Sequence, residues 1–412
     1  MKRQAPRGTQ DVLPSQAHLW RYVEEAFAQT MALFGYGEIR TPTFEEYELF
    51  ARTSGDTSDI VSKEMYDFMD KGGRHLALRP EGTAPVMRAY IEHSLGEAGL
   101  PLRLWYCAPM FRYGRPQKGR FREHHQVGFE LIGSASALAE AEVAQAVVAF
   151  YSKLGIEDLT VRLNCIGRPE SRARYGEELL SHLSGWLGTQ EAETRAAAER
   201  NPLRLLDSKS PEVHEALQGA PRLLDFIEAE SREHFRKVCT ALDASGLGYV
   251  VDEGIVRGLD YYTDTVFEVQ SSALGAQSSL CGGGRYDGLI GALGGKDAPS
   301  VGVGIGIERT LLALAESGAE PEAPRLDLFL VAATPEAWPV VREQARNLRS
   351  AGISCQFDMD ERSLKAQFKS ADRAGAARAA IWGTDELAAG SVTVKDLSTG
   401  EQKTIPVGEL AQ

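Results

Sequence analysis

The chain has 412 residues, too many for one hydrophobic core, and its 43% hydrophobic and 25% charged composition is that of a globular protein of two or three domains. A net charge of −13 favours solubility and argues against a protein that coats nucleic acid nonspecifically, although it does not exclude nucleic acid, because local patches decide contact. No run of about 18 apolar residues occurs, so no membrane span is expected. The opening MKRQAPRGTQDVLP lacks the apolar stretch of a secretory signal, so none is expected there. Five cysteines, at 107, 165, 239, 281 and 355, form no CxxC pair. An odd count argues for a reducing, cytoplasmic setting rather than a disulfide framework, and Cys281, beside three glycines, reads as a small buried thiol.

In chain order, Leu19, Val23, Phe27 and Met31 recur at helical spacing over 14–34, and Gly35 stops the helix. Residues 36–51 read as a strand, a proline break and a helix. A short strand at 75–80 runs into RPEGT, with Thr83 as N-cap of a helix over 84–95. Residues 102–132 read as a long hairpin, and 137–153 as an alanine-rich helix. From about 168 to 245 helix follows helix, an insertion in a sheet-built domain that resumes near 248. SGAEPEAPR (317–325) reads as a linker. Beyond it, LDLFLVAA, a helix, ISCQFDM, a helix, AAIWG and SVTVKDL predict a compact α/β module.

Four stretches carry chemistry. The hairpin tip, 112–122, holds Arg112, Arg115, Lys118, Arg120 and Arg122 and no acid, which suits phosphate oxygens. On the return strand, Gln126, Gly128 and Glu130 share one face, with Gly128 expected to make room for a polar small molecule. VGVGIGIER (301–309) leaves one strand face bare for a flat ring, with Arg309 in the following helical turn. It does not fit GxGxxG, because position 307 is Ile307, and no GxxxxGK[ST] loop occurs. Glu81, in the strand-to-helix turn, offers a carboxylate to an ammonium. IVRGLDYYTDTVFEV (255–269) collects Arg257, Asp260, Tyr261 and Tyr262 ahead of an alternating strand.

FRYGRPQKGRFREHHQVGFE, IVRGLDYYTDTVFE, CGGGRYDGL and VGVGIGIER, in that order, resemble the motifs of the histidyl-tRNA synthetase family, class II aminoacyl-tRNA synthetases. The likeness runs from RGTQDVLP at 7–14 to RSLKAQFKSADRAGA at 362–376. It implies an α+β fold: an antiparallel sheet flanked by helices, with a helical insertion and a C-terminal α/β anticodon-binding domain. The implied divisions are a catalytic domain in two parts (1–167 and 246–320), the insertion (168–245) and the anticodon-binding domain (326–412). The implied substrates are L-histidine, ATP with Mg²⁺ of unassigned ligands, and tRNA(His). The family's ATP contacts match Arg112, Arg120 and Arg309. Its α-ammonium contacts match Glu81, Thr83 and Gln126. Its imidazole contacts match Glu130 and Tyr262, with Tyr261 and Tyr286 lining the pocket. Arg257 matches an arginine between the histidine carboxylate and the α-phosphate, so Arg112 and Arg257 are the catalytic pair.

Arg257 and Tyr262 are five apart and fall on opposite faces of an unbroken strand. Gly258 is therefore expected to bend the chain, with regular strand from near Asp260. Within 362–378, Arg362, Lys365, Lys369, Arg373 and Arg378 oppose one acid, Asp372, as phosphate contact would require. The resemblance further implies a homodimer with its interface near 36–51 and no editing domain. The alternative is a synthetase-like regulatory subunit of ATP phosphoribosyltransferase, which does not charge tRNA.

Overall fold

A computed structural model describes residues 3–54 and 60–411 and divides into two compact units, Met1–Pro321 and Glu322–Gln412. The first unit is built on an eight-stranded sheet. Its spatial order is Gly37–Glu38, Leu102–Phe111, Glu123–Ile132, Ser300–Gly306, Ser279–Arg285, Thr263–Ser271, Leu159–Cys165 and Tyr249–Val251. Only the two outermost pairings are parallel. The five inner pairings are antiparallel.

Alternation along Glu123–Ile132 sorts the two faces. Val127, Phe129 and Leu131 enter the main core, while Gln126, Gly128 and Glu130 point to the other side. Among the described residues, Pro14–Leu33, Ala137–Lys153, Ile307–Ser317 and Ala229–Ala244 all place side chains in the core on the apolar face. In the first, Trp20 rather than Leu19 joins Val23, Phe27 and Met31 in the core, and its ring meets the His125 ring edge-on at 4.8 Å. In the second, Ser136 caps the helix by accepting from the Leu138 N–H at 3.2 Å, and small buried alanines let it lie close to the sheet. Arg285, 1% exposed, is held there by the Glu140 carboxylate at 2.5 and 2.7 Å, and His234 meets the same carboxylate at 2.6 Å. This buried ion pair ties the sheet to Ala137–Lys153 and to the helix Ala229–Ala244.

Between Cys165 and Tyr249 the described residues form helices only, and they belong to the first unit. Leu179, Leu183, Leu187 and Leu223 from this segment share a core cluster with Tyr262 and Tyr286.

The chain does bend at Gly258, but the regular strand starts at Thr263, three residues later than expected. Its first residues are bulged. Arg285 pairs with Thr263 while Gly284 pairs with Val266, and Asp264 takes a φ of 50°. Asp264 and Thr265 have no partner on Ser279–Arg285, and the pairing with that strand ends at Thr263, short of Asp260.

In the second unit, Cys355–Phe357, Leu326–Ala332 and Ala376–Trp382 are parallel; Ser391–Asp396 pairs antiparallel with Ala376–Trp382, and Gln402–Pro406, antiparallel to Ser391–Asp396, completes a five-stranded sheet. The helices Trp338–Ser350 and Leu364–Arg373 make the crossovers. The sequence reading missed Gln402–Pro406, an edge strand with four of five residues exposed and so without an apolar signature. Of the basic residues at 362–378, Arg362 is engaged by the buried Asp358 carboxylate at 2.6 and 2.9 Å.

Candidate active site

On the polar face of the first unit's sheet, one cavity of about 490 Å³ is lined by Arg112, Arg120, Gln126, Arg257, Gly304, Gly306 and Arg309, among others. Five arginines, Arg112, Arg115, Arg120, Arg257 and Arg309, from distant parts of the chain therefore share one cavity wall. Three have an anchor in the protein. Arg112 donates through Nε to the Pro80 carbonyl at 2.7 Å, and Arg309 through Nε to the Ser279 carbonyl at 2.6 Å. Arg257 donates through Nη1 to Glu268 at 2.7 Å. Anchoring one nitrogen fixes the plane of each fork, which favours two-point contact with an anion. Arg120 comes from the hairpin tip, whose Gly119 packs on Leu312 and whose Lys118 pairs with Glu316 at 3.7 Å. The tip is thus held against the helix Ile307–Ser317.

The remaining predicted residues do not line this cavity. Glu81, Thr83, Glu130, Tyr262 and Tyr286 form a closed polar cluster beside it, each under 9% exposed, and the partly buried Tyr261 packs with them. Thr83 donates to Glu130 Oε1 at 2.8 Å, and the Tyr286 hydroxyl donates to Glu130 Oε2. The rings of Tyr261 and Tyr262 lie 4.7 Å apart, and those of Tyr261 and Tyr286 5.6 Å. Arg257 links cluster and cavity, its guanidinium 5.9 Å from the centre of the Tyr262 ring.

Thr83 is not the helix cap that its position suggested. The helix runs Thr83–Glu92, and its first N–H groups, of Thr83 and Ala84, donate to the Glu81 carboxylate at 2.5 and 2.8 Å. A carboxylate is favoured at that end of a helix dipole, and the Thr83 hydroxyl is thereby left for Glu130.

The glycines are sockets as much as clearance for a ligand. A Cβ at Gly128 would meet the Tyr106 ring, so the room expected there for a small molecule is already filled. A Cβ at Gly302 would fall on the Glu130 carboxylate, and one at Gly282 on the Arg257 guanidinium. Of the positions on the bare face, Gly304 and Gly306 border the cavity with no neighbour nearer than 3.7 Å.

Sequence reasoning missed Tyr106, Glu268 and His124. Tyr106 lies opposite Gly128 in the hairpin, a large-against-glycine pairing visible once the register is known. Glu268 carries no local signal beyond its strand. His124, on the same face as Gln126, lines the cavity, and burial, reinforced by nearby Arg112, pushes its imidazole down to about 3. It is a neutral ring at physiological pH. A larger recess, about 560 Å³, lies around Glu24, Arg40 and Trp105. Arg79 there is committed to the carbonyls of Pro109, Thr41 and Pro42, so no set of cations converges on it.

With this geometry in view, the family model described as Histidyl-tRNA synthetase matches residues 8–310. The chain belongs to the histidyl-tRNA synthetase family. The model described as Anticodon binding domain matches residues 327–412. Relatives named histidine–tRNA ligase include one from Moorella thermoacetica, 47% identical over 98% of this chain and 95% of its own length. Another, from Streptococcus sanguinis, is 43% identical over 100% and 97%. The solved apo histidyl-tRNA synthetase of S. aureus has 37% identity and a TM-score of 0.83, covering 100% of this chain and 99% of its own. A structure from Bacillus halodurans, described as an ATP phosphoribosyltransferase regulatory subunit/histidyl-tRNA synthetase, has 26% identity and a TM-score of 0.63, with 87% of this chain and 94% of its own covered. The fold agrees with the class II synthetase architecture of this family, and ATP is a substrate of its enzymes.

Burial is the main cause that lifts the Glu130 carboxyl to about 8, and the nearby Glu81 carboxylate adds to it, while donation from Tyr286 and Thr83 works the other way. A carboxyl that holds its proton more tightly folded than unfolded stabilises the native state below the ordinary carboxyl range. That contribution is lost as pH rises through about 8. Between about pH 6 and 9 the native chain should lose melting temperature more steeply than Glu130→Gln, measured by scanning calorimetry. Parallel pH profiles would show that Glu130 does not titrate in this range.

Proposed function

We propose that this chain activates L-histidine with ATP to histidyl-adenylate and transfers the histidyl group to tRNA(His). The observation that carries the reading is the convergence of Arg112, Arg257 and Arg309 on one cavity adjoining the buried Glu130–Tyr286 cluster. In the first step a histidine carboxylate oxygen attacks the α-phosphorus. The bond from that phosphorus to the bridging oxygen breaks, and pyrophosphate leaves with its electron pair. The attacking group is already an anion, so no protein nucleophile or base is required. The enzyme's task is to hold two anions together and stabilise the charge that grows on the α-phosphate.

In this reading Arg112 and Arg257 clamp the α-phosphate, and Arg309 and Arg120 hold the rest of the triphosphate. Gln126, Glu81 and Thr83 receive the α-ammonium. Glu130 and Tyr262 bind the imidazole, with Tyr261 and Tyr286 as walls. Glu130 can accept from the imidazole N–H and Tyr262 can donate to its other nitrogen. Binding opens the closed cluster, because Glu130 must exchange the Tyr286 hydroxyl for the ligand. Mg²⁺ would arrive on the nucleotide and offset its charge. No group of three metal-ligating side chains occurs among the described residues, which fits an ion held chiefly by phosphate and water, and Glu64 on the cavity wall is the carboxylate offered to it.

We take residues 1–167 and 246–320 as the catalytic domain. The helical segment 168–245 and the unit at 326–412 are the surfaces for tRNA. The chain works in the cytoplasm, in keeping with five free cysteines. It acts as a homodimer. Support for a partner near 36–51 comes from the small sheet Phe44–Glu46, His75–Leu78 and Tyr66–Met69, which exposes Phe44 (51%), Phe68 (42%) and Met69 (61%). The regulatory-subunit alternative is disfavoured by the match over 327–412 and by the filled arginine positions.

Histidine-dependent exchange of pyrophosphate into ATP is the decisive assay. Arg257→Ala and Arg112→Ala should each lower kcat by about 10²-fold or more in protein that melts normally. Folded native protein without exchange would overturn the enzymatic reading. Affinity for tRNA should fall steeply with salt, and a flat response of log Kd to log salt would remove the electrostatic contact. Phe44→Glu should shift the sedimentation of the native protein from dimer to monomer. An unchanged sedimentation coefficient would place the interface elsewhere.

A further inference from the structure

The helical segment reaches the back of the tyrosine cluster through one side chain. Arg172 lies early in the helix Pro169–His182 and is partly buried. Its Nη1 donates to the Tyr262 carbonyl at 2.6 Å and to the Gly167 carbonyl at 3.2 Å. Gly167 is in turn bound to the bulge, accepting from the Asp264 N–H at 3.0 Å, while the Ile166 N–H donates to the Asp264 carbonyl at 2.8 Å. The start of the helical segment and the bulge that carries the tyrosine turn are therefore back to back, with one guanidinium bridging them. Burial opposes the charge of Arg172, and the nearby carboxylates of Asp260 and Asp264, then Glu170 and Glu228, favour it.

A second contact from the same segment seats the same turn. Leu203, Leu205 and Leu206 pack against the cluster that contains Ile255 and Tyr262, and the Leu206 carbonyl lies 3.5 Å from where a Cβ at Gly254 would stand. The turn at 258–262 precedes the ladder, which begins only at Thr263, so its position depends on these side-chain contacts.

We propose that Arg172 is a positioning residue for histidine recognition: by holding the Tyr262 carbonyl it fixes the turn that presents Tyr261 and Tyr262, so the amino-acid pocket is incomplete without the helical segment. The proposal rests on the reading of that pocket given above. It assigns the segment a part in the first step, before any tRNA is bound. A tilt of Pro169–His182 moves the guanidinium and with it the tyrosine wall, whereas Arg112 and Arg309 are anchored on the sheet side and stay in place.

Two measurements on native protein, Arg172→Ala and Arg172→Lys test it. The first is hydrogen exchange over 258–263, which needs no activity. The alanine variant should exchange faster there, and the lysine variant, which keeps one charged donor, by a smaller factor. The second is pyrophosphate exchange: KM for histidine should rise about tenfold in the alanine variant and less in the lysine variant, with KM for ATP within about twofold. Turn amides as protected as in the native chain overturn the proposal, even if the native chain proves to have no exchange activity. So does a uniform loss in which both KM values, kcat and melting temperature worsen together, since that marks a structural role only. If the alanine variant does not fold, the lysine variant carries both measurements, and native values in both overturn the proposal.

Discussion

One row of paired residues across the sheet sets the terms for everything above it. Glu268, Gly282, Gly304, Gly128 and Tyr106 face one another on five successive strands. Directly paired residues point to the same side, so three missing side chains make a trench with Glu268 on one bank and Tyr106 on the other. Each bank then leans inward. Tyr106 lies over Gly128, and Arg257, tied to Glu268, lies over Gly282. Only the ground at Gly304, next to Gln126, stays open. Three strands' worth of side-chain volume has been exchanged for one tyrosine, one arginine and one cavity. A Cβ at Gly282 or Gly128 would expel the group that gives the trench its chemistry, not merely narrow it.

The trench also explains how a chain of net charge −13 keeps a strongly cationic hollow. Net charge acts over the whole surface and is screened within about 10 Å at ordinary salt, whereas guanidinium groups lining one cavity act locally. Holding them costs repulsion, most plainly at Arg112, where burial, with Arg257 nearby, works against the charged form. Neighbouring carboxylates relieve it: Glu64 and Glu81 favour the charge on Arg112, and Glu268 that on Arg257. On the proposed reading, the triphosphate supplies the remaining counter-charge.

Much of this was legible in the residues. The alternation of Gln126, Gly128 and Glu130 marks a polar strand face, and the basic hairpin tip does place Arg112 and Arg120 on the cavity wall. What was misread shares a cause. Thr83 was taken for a cap because it stands at the helix start, but Glu81 reaches that place through its longer side chain. Gly128 and Gly302 were taken for ligand clearance because a glycine announces space and not its occupant; the occupants, Tyr106 and Glu130, come from other strands. Glu268 was invisible for the same reason. The start of the strand at Thr263 was placed too early because the bulge at Asp264 depends on the neighbouring strand and on Gly167, neither of which lies in the local sequence.

The closed cluster beside the trench bears on selectivity. Glu130, Thr83 and Tyr286 satisfy one another while buried, so the pocket has no stable dry form with Glu130 ionised and alone. On the proposed reading, a ligand that enters replaces the Tyr286 hydroxyl with a donor of its own. Neutral imidazole can do so and offers an acceptor nitrogen as well. An apolar side chain of the same size cannot, and it would strand a carboxyl in low dielectric. A site that requires polar exchange in this way separates ligands by about 10⁴-fold, where an apolar pocket judging size alone manages about 10²-fold. The glycine at 302 is the steric condition for that discrimination, because only without a Cβ there can the Glu130 carboxylate lie where it does. On the proposed reading, selectivity and catalysis thus have the same origin in this sheet: side chains left out of the strands so that polar groups from neighbouring strands can fill their place.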